Sequence, residues 1–160
     1  MTTWEATLGS ARGSADGRSI VQVEKTGDGL QFRTEKGRYD LEASAQWIGN
    51  DLLVAIWGGE QPHIGAVALA QPRPSLKDGE STSSTASVLC VVGHKEDTVV
   101  KTVSESLSAT LNTRVVATAG MHWENLDAEG IRSVIEHVDS LVTCMARHLE
   151  EDSKSALRKG

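Results

Sequence analysis

The stretch DLLVAIWGGEQPHIGAVALA, residues 51–70, decides the fold class. Its two apolar runs, 51–57 and 64–70, have the length and composition of β-strands, and glycines, a proline and His63 separate them. The first run is apolar at nearly every position, which is typical of a strand covered on both faces. The short connection predicts that the two strands run antiparallel to each other.

More strands are indicated on both sides of this stretch. Upstream, two short extended runs flank the glycine turn at 27–29, and another candidate strand lies within residues 38–48. Downstream, residues 71–86 are rich in Pro, Ser and Thr, and we expect them to form a long surface loop. The apolar run SVLCVV, residues 87–92, then resumes the sheet.

The second half of the sequence changes to a helical period. Apolar residues recur every three to four positions between Val99 and Leu111, and again in a longer stripe from Ile131 to Leu149. Asp127 has the position of an N-cap for the second helix. An extended run at 114–119 separates the two helices.

These elements predict an α+β fold. The order strand, helix, strand from 87 to 119 predicts a βαβ unit with parallel strands. The sheet is therefore mixed and largely antiparallel, built from the N-terminal half, with a C-terminal βαβ unit and two helices packed on one face. We assign one domain to residues 1–150 and a charged, flexible tail to residues 151–160.

Composition excludes several classes of partner. The formal charge of −6 and the pI of about 5.3 argue against nucleic acid and anionic membranes, which need a basic surface. No apolar run is long enough to span a bilayer, and no secretory signal is visible. Cys90 and Cys144 form no CxxC motif, so we expect buried free thiols in a cytoplasmic protein.

Three junctions between the predicted elements carry a histidine. His63 precedes one strand, and His94 and His122 follow the two strands of the βαβ unit. If strand 64–70 pairs antiparallel with strand 87–92, the three histidines lie on the same edge of the sheet, with Gly58 and Gly59 beside them. Ligand sites commonly occupy such edges.

The residues at this edge favour a planar, phosphate-bearing ligand. The start of the first helix, at Gly93, Lys95 and Glu96, offers backbone N–H groups and a cation to an anion. Trp57 and Trp123 flank two of the junctions and have faces on which a planar ring could stack.

Other interpretations remain open at this point. The glycines and His63 could be ordinary turn residues, and Trp123 could be a core anchor. His63, His94 and His122 could also hold a metal ion, with Glu96 or Glu124 nearby, although no HExxH-like spacing supports this. We rank the metal site below phosphate or flavin binding. His137 and His148 lie away from the junctions and receive no function.

Three motifs resemble one known family. DLLVAIWGGEQPHIGAVALA, GHKED (93–97) and AGMHWENLDAEGI (119–131), in this order, are similar to the LpdD-like prenylated-flavin chaperones, a family associated with gallate decarboxylase. The resemblance spans roughly residues 50–150. It implies an accessory protein without independent activity, which binds prenylated FMN, or FMN, and helps to deliver or mature it for a UbiD-type decarboxylase.

The resemblance also implies a set of site residues. With the residues indicated above, the candidate cofactor-binding set is Trp57, Gly58, Gly59, His63, Gly65, Gly93, His94, Lys95, Glu96, His122 and Asn125. No catalytic residue and no metal ligand is assigned. This sequence departs from the family at Trp123, where a smaller apolar residue is usual, and at Gly130 near the helix start.

The expected partners are a UbiD-type decarboxylase, a flavin prenyltransferase and a second copy of the chain. The homodimer is expected because the stripe on the last helix exceeds what one face of a small sheet can cover. Two alternatives stay open: a small histidine-based metal enzyme, and a non-catalytic structural subunit of a decarboxylase complex.

Overall fold

A computed structural model describes residues 21–35, 37–93 and 96–157, which form one seven-stranded sheet and two helices. Within these residues, no helix is both long and apolar enough to cross a membrane. The elements in chain order are β1 (Val21–Thr26), β2 (Gly29–Thr34), β3 (Leu41–Ile48), β4 (Asp51–Gly59), β5 (Ala66–Pro74), β6 (Thr82–Cys90), α1 (Asp97–Leu111), β7 (Val115–His122) and α2 (Ala128–Leu157).

The strand order is β1-β2-β3-β4-β7-β5-β6. The first four strands form an antiparallel meander, and β7 pairs in parallel with β4. β5 is antiparallel to both of its neighbours, β7 and β6. The predicted α+β class, with a mixed and largely antiparallel sheet, is therefore confirmed.

The structure corrects two details of the predicted strand pairing. β4 and β5 run antiparallel, as expected from their short connection, but they do not pair, because β7 lies between them. β6 and β7 run in the same direction, as a βαβ unit requires, but β5 separates them. Both corrections concern which strands are neighbours in the sheet. This depends on pairing between strands that are distant in sequence, which local sequence patterns do not indicate.

The predicted long loop at 71–86 is mostly strand. β5 continues to Pro74 and β6 begins at Thr82, so only a tight connection remains. The Asp78 carboxylate organises this connection by accepting hydrogen bonds from the Ser81 and Glu80 backbone N–H groups at 2.9 and 3.1 Å. Hydrogen bonds from Ser81 and then Glu80 hold the pKa of the Asp78 carboxyl below its ordinary value.

Both helices pack on one face of the sheet, which we call the inner face. Along β4, Leu52, Val54 and Ile56 point inward and are at most 2% exposed. α1 contacts β5, β6 and β7, whereas α2 contacts β1, β2 and β3. The alternation of buried residues along β2, β3 and β4 matches the period of two that a half-covered sheet requires.

The opposite face of the sheet, the outer face, is not covered by any helix of the described chain. Leu53, Ala55 and Trp57 on β4 are only half-buried there, so the expectation that this strand is covered on both faces is wrong for the single chain. Leu69 on β5 and Leu89 on β6 are 42% and 78% exposed. Apolar residues on both sides of a strand therefore do not guarantee that both sides are buried.

α2 begins where its sequence predicts. The Gly130 N–H donates to the Asp127 carboxylate at 2.7 Å, which is the hydrogen bond of an N-cap residue. Val134, Val138, Leu141, Met145 and Leu149 of the apolar stripe are buried, whereas Val142 is half-buried and Ile131 and Ile135 are about half exposed. α2 continues to Leu157, so the predicted tail 151–160 begins inside a helix; its flexibility stays a prediction.

Candidate functional site

The ends of β4 and β7 meet at one edge of the sheet, which we call the rim (residues 57–65, 93, 96 and 119–125). Gly59 lies opposite His122 in the parallel pair, and the Glu60 N–H donates to the His122 carbonyl at 2.8 Å. The Gly65 N–H donates to the Ala119 carbonyl at 2.9 Å. The segment that carries His63 therefore lies on the end of β7, at the edge where the sequence places it.

Gly120 allows this close approach. A Cβ atom at residue 120 would overlap the carbonyl oxygen of His63, so any side chain there would push the 60–65 segment away from β7. Gly59, with a φ of 84°, lies against the main chain of His122 in a similar way. Gly59 and Gly120 are thus required by the packing of the backbone itself.

His63 and Glu96 form the central polar contact of the rim. Nε2 of His63 lies 3.3 Å from Oε1 of Glu96, and Nδ1 lies 2.9 Å from the Gln61 carbonyl oxygen. The Met121 N–H also donates to Oε1 of Glu96 at 3.3 Å. Only 24% of the His63 side chain and 11% of the Glu96 side chain are exposed. The contact joins the 60–65 segment, the start of α1 and the end of β7.

Gly65 makes room for the Glu96 carboxylate. A Cβ atom at residue 65 would lie 2.5 Å from Oε2 of Glu96. Glu96 is the N-cap residue of α1, but its side chain makes no capping hydrogen bond to that helix. The sequence grouped Glu96 with Lys95 as part of an anion site, whereas the structure turns its carboxylate toward His63.

The two tryptophans of the rim have different roles. Trp57 is half-buried on the outer face and lies opposite Gly120 in the β4–β7 pair, so part of its surface remains accessible. Trp123 is only 9% exposed and packs edge-on against Tyr39, with ring centroids 5.6 Å apart. Its ring also lies close to Gly58. Trp123 is therefore a core anchor rather than a stacking surface.

Of the remaining candidate residues, three are exposed and two lie outside the described residues. His122 and Asn125 are exposed, and Asn125 has the left-handed φ of 60° that asparagine tolerates in turns. Gly93, with a φ of 89°, is exposed just before α1. His94 and Lys95 lie outside the described residues, so the proposed cation at the helix start has no structural description.

The described residues contain no group of three or more His, Cys, Asp or Glu side chains that could hold a metal ion. The alternative metal site needs His63, His94 and His122 together, and His94 is not among those residues. What the described part of the rim provides is a histidine–carboxylate pair.

Of the two cysteines, Cys90 lies beside this edge, where its Sγ donates to the Gly65 carbonyl at 3.8 Å. Neither cysteine forms a disulfide within the described residues: Cys144 is buried in α2, as expected, but the expected burial of Cys90 is wrong, because Cys90 is exposed at the end of β6. Burial raises the pKa of the Cys144 thiol, against a smaller opposing effect of Arg147, so the reactive thiolate is disfavoured.

Comparison with known proteins identifies the family. The family model of the prenylated flavin chaperone LpdD-like domain matches residues 35–150, which is most of the chain, and the protein belongs to this family. It is also similar to Protein LpdD of Lactiplantibacillus plantarum, with 26% identity over 110 residues, 69% of this chain and 77% of that protein. The match begins before β3, earlier than the three motifs suggest, and includes the whole rim.

Proposed function

We propose that this protein binds prenylated FMN, or FMN, at the rim and helps to deliver or mature it for a UbiD-type decarboxylase. The observation that carries the proposal is the His63–Glu96 pair, held by glycines at one edge of a sheet in a member of the prenylated flavin chaperone family. The pair offers a donor and an acceptor at the place where a ligand can approach the backbone closely.

The properties of the rim fit a flavin. An isoalloxazine ring presents alternating N–H donors and carbonyl acceptors along one edge and apolar faces above and below it. Gly58, Gly59 and Trp57 offer a surface for such a face, and His63 and His122 offer hydrogen bonds to the polar edge. Gly93, Lys95 and Glu96 precede α1, where backbone N–H groups favour a phosphate. Gly65, His94 and Asn125 complete the proposed set.

The proposed role is one of binding and protection rather than catalysis. Bound prenylated FMN would supply its chemistry only in the partner decarboxylase, and the residues of this chain would hold and orient it. A flavin prenyltransferase is the proposed donor of the cofactor. We also propose that the protein is cytoplasmic and homodimeric.

A second candidate function is a structural subunit that braces a decarboxylase. It is favoured by the outer face, where Leu69 and Leu89 expose apolar surface that a partner protein could cover. Such a subunit would form a stable complex with the decarboxylase and retain no flavin.

Co-expression with a flavin prenyltransferase tests the proposal. We expect the purified protein to carry a species with the mass and absorbance of prenylated FMN, measured by native mass spectrometry and by its spectrum. His63→Ala should lose this species. Gln46→Ala, an exposed position on β3 at the opposite end of the sheet, should retain it.

A colourless protein without added mass, from a lysate that contains the cofactor, would contradict flavin binding. Metal analysis of the same sample and co-purification with the decarboxylase would then separate the histidine-based metal enzyme from the bracing subunit.

A further inference from the structure

The outer face of the sheet has an apolar half and a polar half. On β4, β7, β5 and β6, strand pairing aligns the outward-pointing residues in two rows across the sheet. We call these eight residues the outer patch: Leu53, Val116, Leu69 and Ser87 in the first row, and Ala55, Thr118, Val67 and Leu89 in the second. On β1, β2 and β3 the outward-pointing residues include Glu24, Arg33 and Glu42. The polar half is therefore suited to contact with solvent, whereas the outer patch is not.

The outer patch exposes apolar surface in the single chain. Leu69 and Leu89 are 42% and 78% exposed, and the other apolar residues of the patch are half-buried. The apolar stripe of α2 is different, because most of it packs in the core and its exposed members are Ile131 and Ile135. Apolar surface that continues across several strands marks an interaction site. The outer patch, rather than α2, is therefore the candidate subunit contact.

The side chains of the outer patch are complementary in size to those of a second copy. The first row begins with a large residue, Leu53 on β4, and ends with a small one, Ser87 on β6; the second begins with Ala55 and ends with Leu89. Consider a twofold axis between two facing sheets, parallel to the strands and centred between β7 and β5. This axis keeps each row at its level and reverses its order, so Leu89 of one copy faces Ala55 of the other, and Leu53 faces Ser87. Facing sheets pack closely when large side chains lie opposite small ones.

From this arrangement we infer that two copies of the chain pack face to face through the outer patch, about this twofold axis. The inference rests on the homodimer that is part of the proposed function and identifies its surface, and it does not depend on flavin binding. The axis places β4 and β7 of one copy over β6 and β5 of the other, so the charged half of the face stays in solvent. Because the axis runs along the strands, both rims lie at the same end of the dimer.

The size of the contact is sufficient for a stable dimer. The four strands have eight or nine residues each. Strands of this length are about 30 Å long, and four of them at a spacing of about 4.8 Å present a flat area of about 600 Å². Each partner of a specific interface buries about 600–1,000 Å², so the contact does not need the charged half of the face.

The distribution of charge also favours a second copy. The chain has a formal charge of −6, so two copies repel each other unless they meet through uncharged surface. The outer patch contains no charged residue. One row further from the rim, Asp51 is paired with Arg114 at 3.0 Å and faces Thr85 of the other copy. The outer patch therefore permits a self-association that the net charge of the chain opposes elsewhere.

Sedimentation velocity at micromolar concentration tests this surface. We expect the unaltered protein to sediment with twice the chain mass of 17.1 kDa. Leu69→Asp places an unpaired carboxylate against Val116 of the other copy, so the dissociation constant of the dimer should rise by at least about 100-fold and the variant should sediment as a monomer. Leu76→Asp and Ile135→Asp are matched controls, because these residues are 90% and 52% exposed but lie in the β5–β6 connection and on α2. Both controls should remain dimeric, and thermal unfolding checks that each variant is folded.

A pair of charged variants tests the predicted axis. Ala55→Lys and Leu89→Glu should each be monomeric alone but form a heterodimer when mixed, because the introduced ammonium group and carboxylate face each other across the interface. The two positions lie on β4 and β6, about 14 Å apart within one chain, so they cannot pair intramolecularly. Ala55→Glu mixed with Leu89→Glu is the control, and this mixture should stay monomeric. Equal association in the two mixtures would overturn the predicted axis.

The remaining outcomes separate the inference from the proposed function. A dimer that Ile135→Asp dissociates and Leu69→Asp does not would overturn the inference and leave the homodimer intact. An unaltered protein that sediments as a monomer would overturn both, and would leave the outer patch to the decarboxylase or to residues 1–20. Flavin binding is measured separately, and a folded, monomeric Leu69→Asp variant that retains prenylated FMN would show that the dimer surface and the flavin site are distinct.

Discussion

His63 at the rim and His137 in the core both contact a main-chain carbonyl through Nδ1, but they lie in opposite environments. Nδ1 of His137 is 2.7 Å from the Tyr39 carbonyl oxygen, as Nδ1 of His63 is 2.9 Å from that of Gln61. His137 is only 2% exposed, whereas about a quarter of the His63 side chain is accessible beside the Glu96 carboxylate. The contact with a main-chain carbonyl therefore does not distinguish a structural histidine from a candidate ligand-binding one.

The surroundings of His137 explain its structural role. Thr34, which is fully buried, accepts a hydrogen bond from the Leu41 N–H at 2.8 Å and donates to the Asp40 carboxylate at 3.2 Å. Together with the bond between His137 and the Tyr39 carbonyl, these contacts fix the connection between β2 and β3 beneath α2. At the rim, by contrast, the imidazole faces a titratable group.

The largest effect is expected from Gly120→Ala. The added methyl group would overlap the His63 carbonyl, so we expect the free energy of unfolding to fall by about 3 kcal/mol in urea denaturation. Gly27→Ala is the matched control, because no heavy atom lies within 4 Å of a Cβ at residue 27. Equal denaturation midpoints for the two variants would show that the 60–65 segment is not held against β7 as described.

The second largest effect is expected as a difference in stability between the alanine variants of the two histidines. His137→Ala leaves a small cavity and a main-chain carbonyl without its donor, so we expect a loss of about 2 kcal/mol of unfolding free energy. His63→Ala, at the partly exposed rim, should cost less than about 1 kcal/mol. Chemical denaturation of both variants measures the difference. A His63→Ala variant that is as unstable as His137→Ala would contradict the division into rim and core roles.

On the rim side, Lys95→Ala tests the proposed phosphate contact. If Lys95 pairs with a partly buried phosphate, its loss should weaken FMN binding by about 1–3 kcal/mol. Lys101→Ala is the control, since Lys101 pairs with Glu105 one turn away along α1 at 2.7 Å. Calorimetric titration with FMN measures the affinity of both variants. An unchanged affinity for Lys95→Ala would show that this residue is not part of the site.

The smallest effect is expected at the end of the sheet opposite the rim. Nε1 of Trp47 is buried and has no hydrogen-bond acceptor among the described residues. Trp47→Phe removes this unsatisfied donor together with some apolar area, so the free energy of unfolding should change by less than about 1 kcal/mol. A loss of several kcal/mol would indicate that the indole N–H has an acceptor after all.

Much of the fold follows from local patterns in the sequence. The alternation along β2 and β3, the apolar run of β4, the stripe of α2 and the cap at Asp127 are all local signals, and the structure agrees with them. The position of β7 between β4 and β5 has no such signal, because pairing between distant strands depends on the whole core. For the same reason the sequence did not reveal that the outer face of β4 is open.

At the site, the sequence brought His63, Gly59 and His122 to one edge because strand directions determine which ends meet. It did not reveal the contact between His63 and Glu96. That contact depends on the direction of two side chains and on the space left by Gly65. A glycine two residues after a histidine, just before a strand, indicates close packing, but it does not identify the group that packs there.

The insertion of β7 also has a consequence for how the chain folds. Asp51, at the start of β4, forms an ion pair with Arg114, which lies 63 positions later in the chain. Because β7 follows so late, one edge of β4 has no strand partner until most of the chain has been synthesised. The β1–β4 meander and the β5–β6 hairpin can each form from contacts that are local in sequence. We expect these two parts of the sheet to come together only when β7 pairs with both β4 and β5. Because His63 is held against the end of β7, the rim is assembled in this last step, and a nascent chain acquires its site only when its sheet is complete.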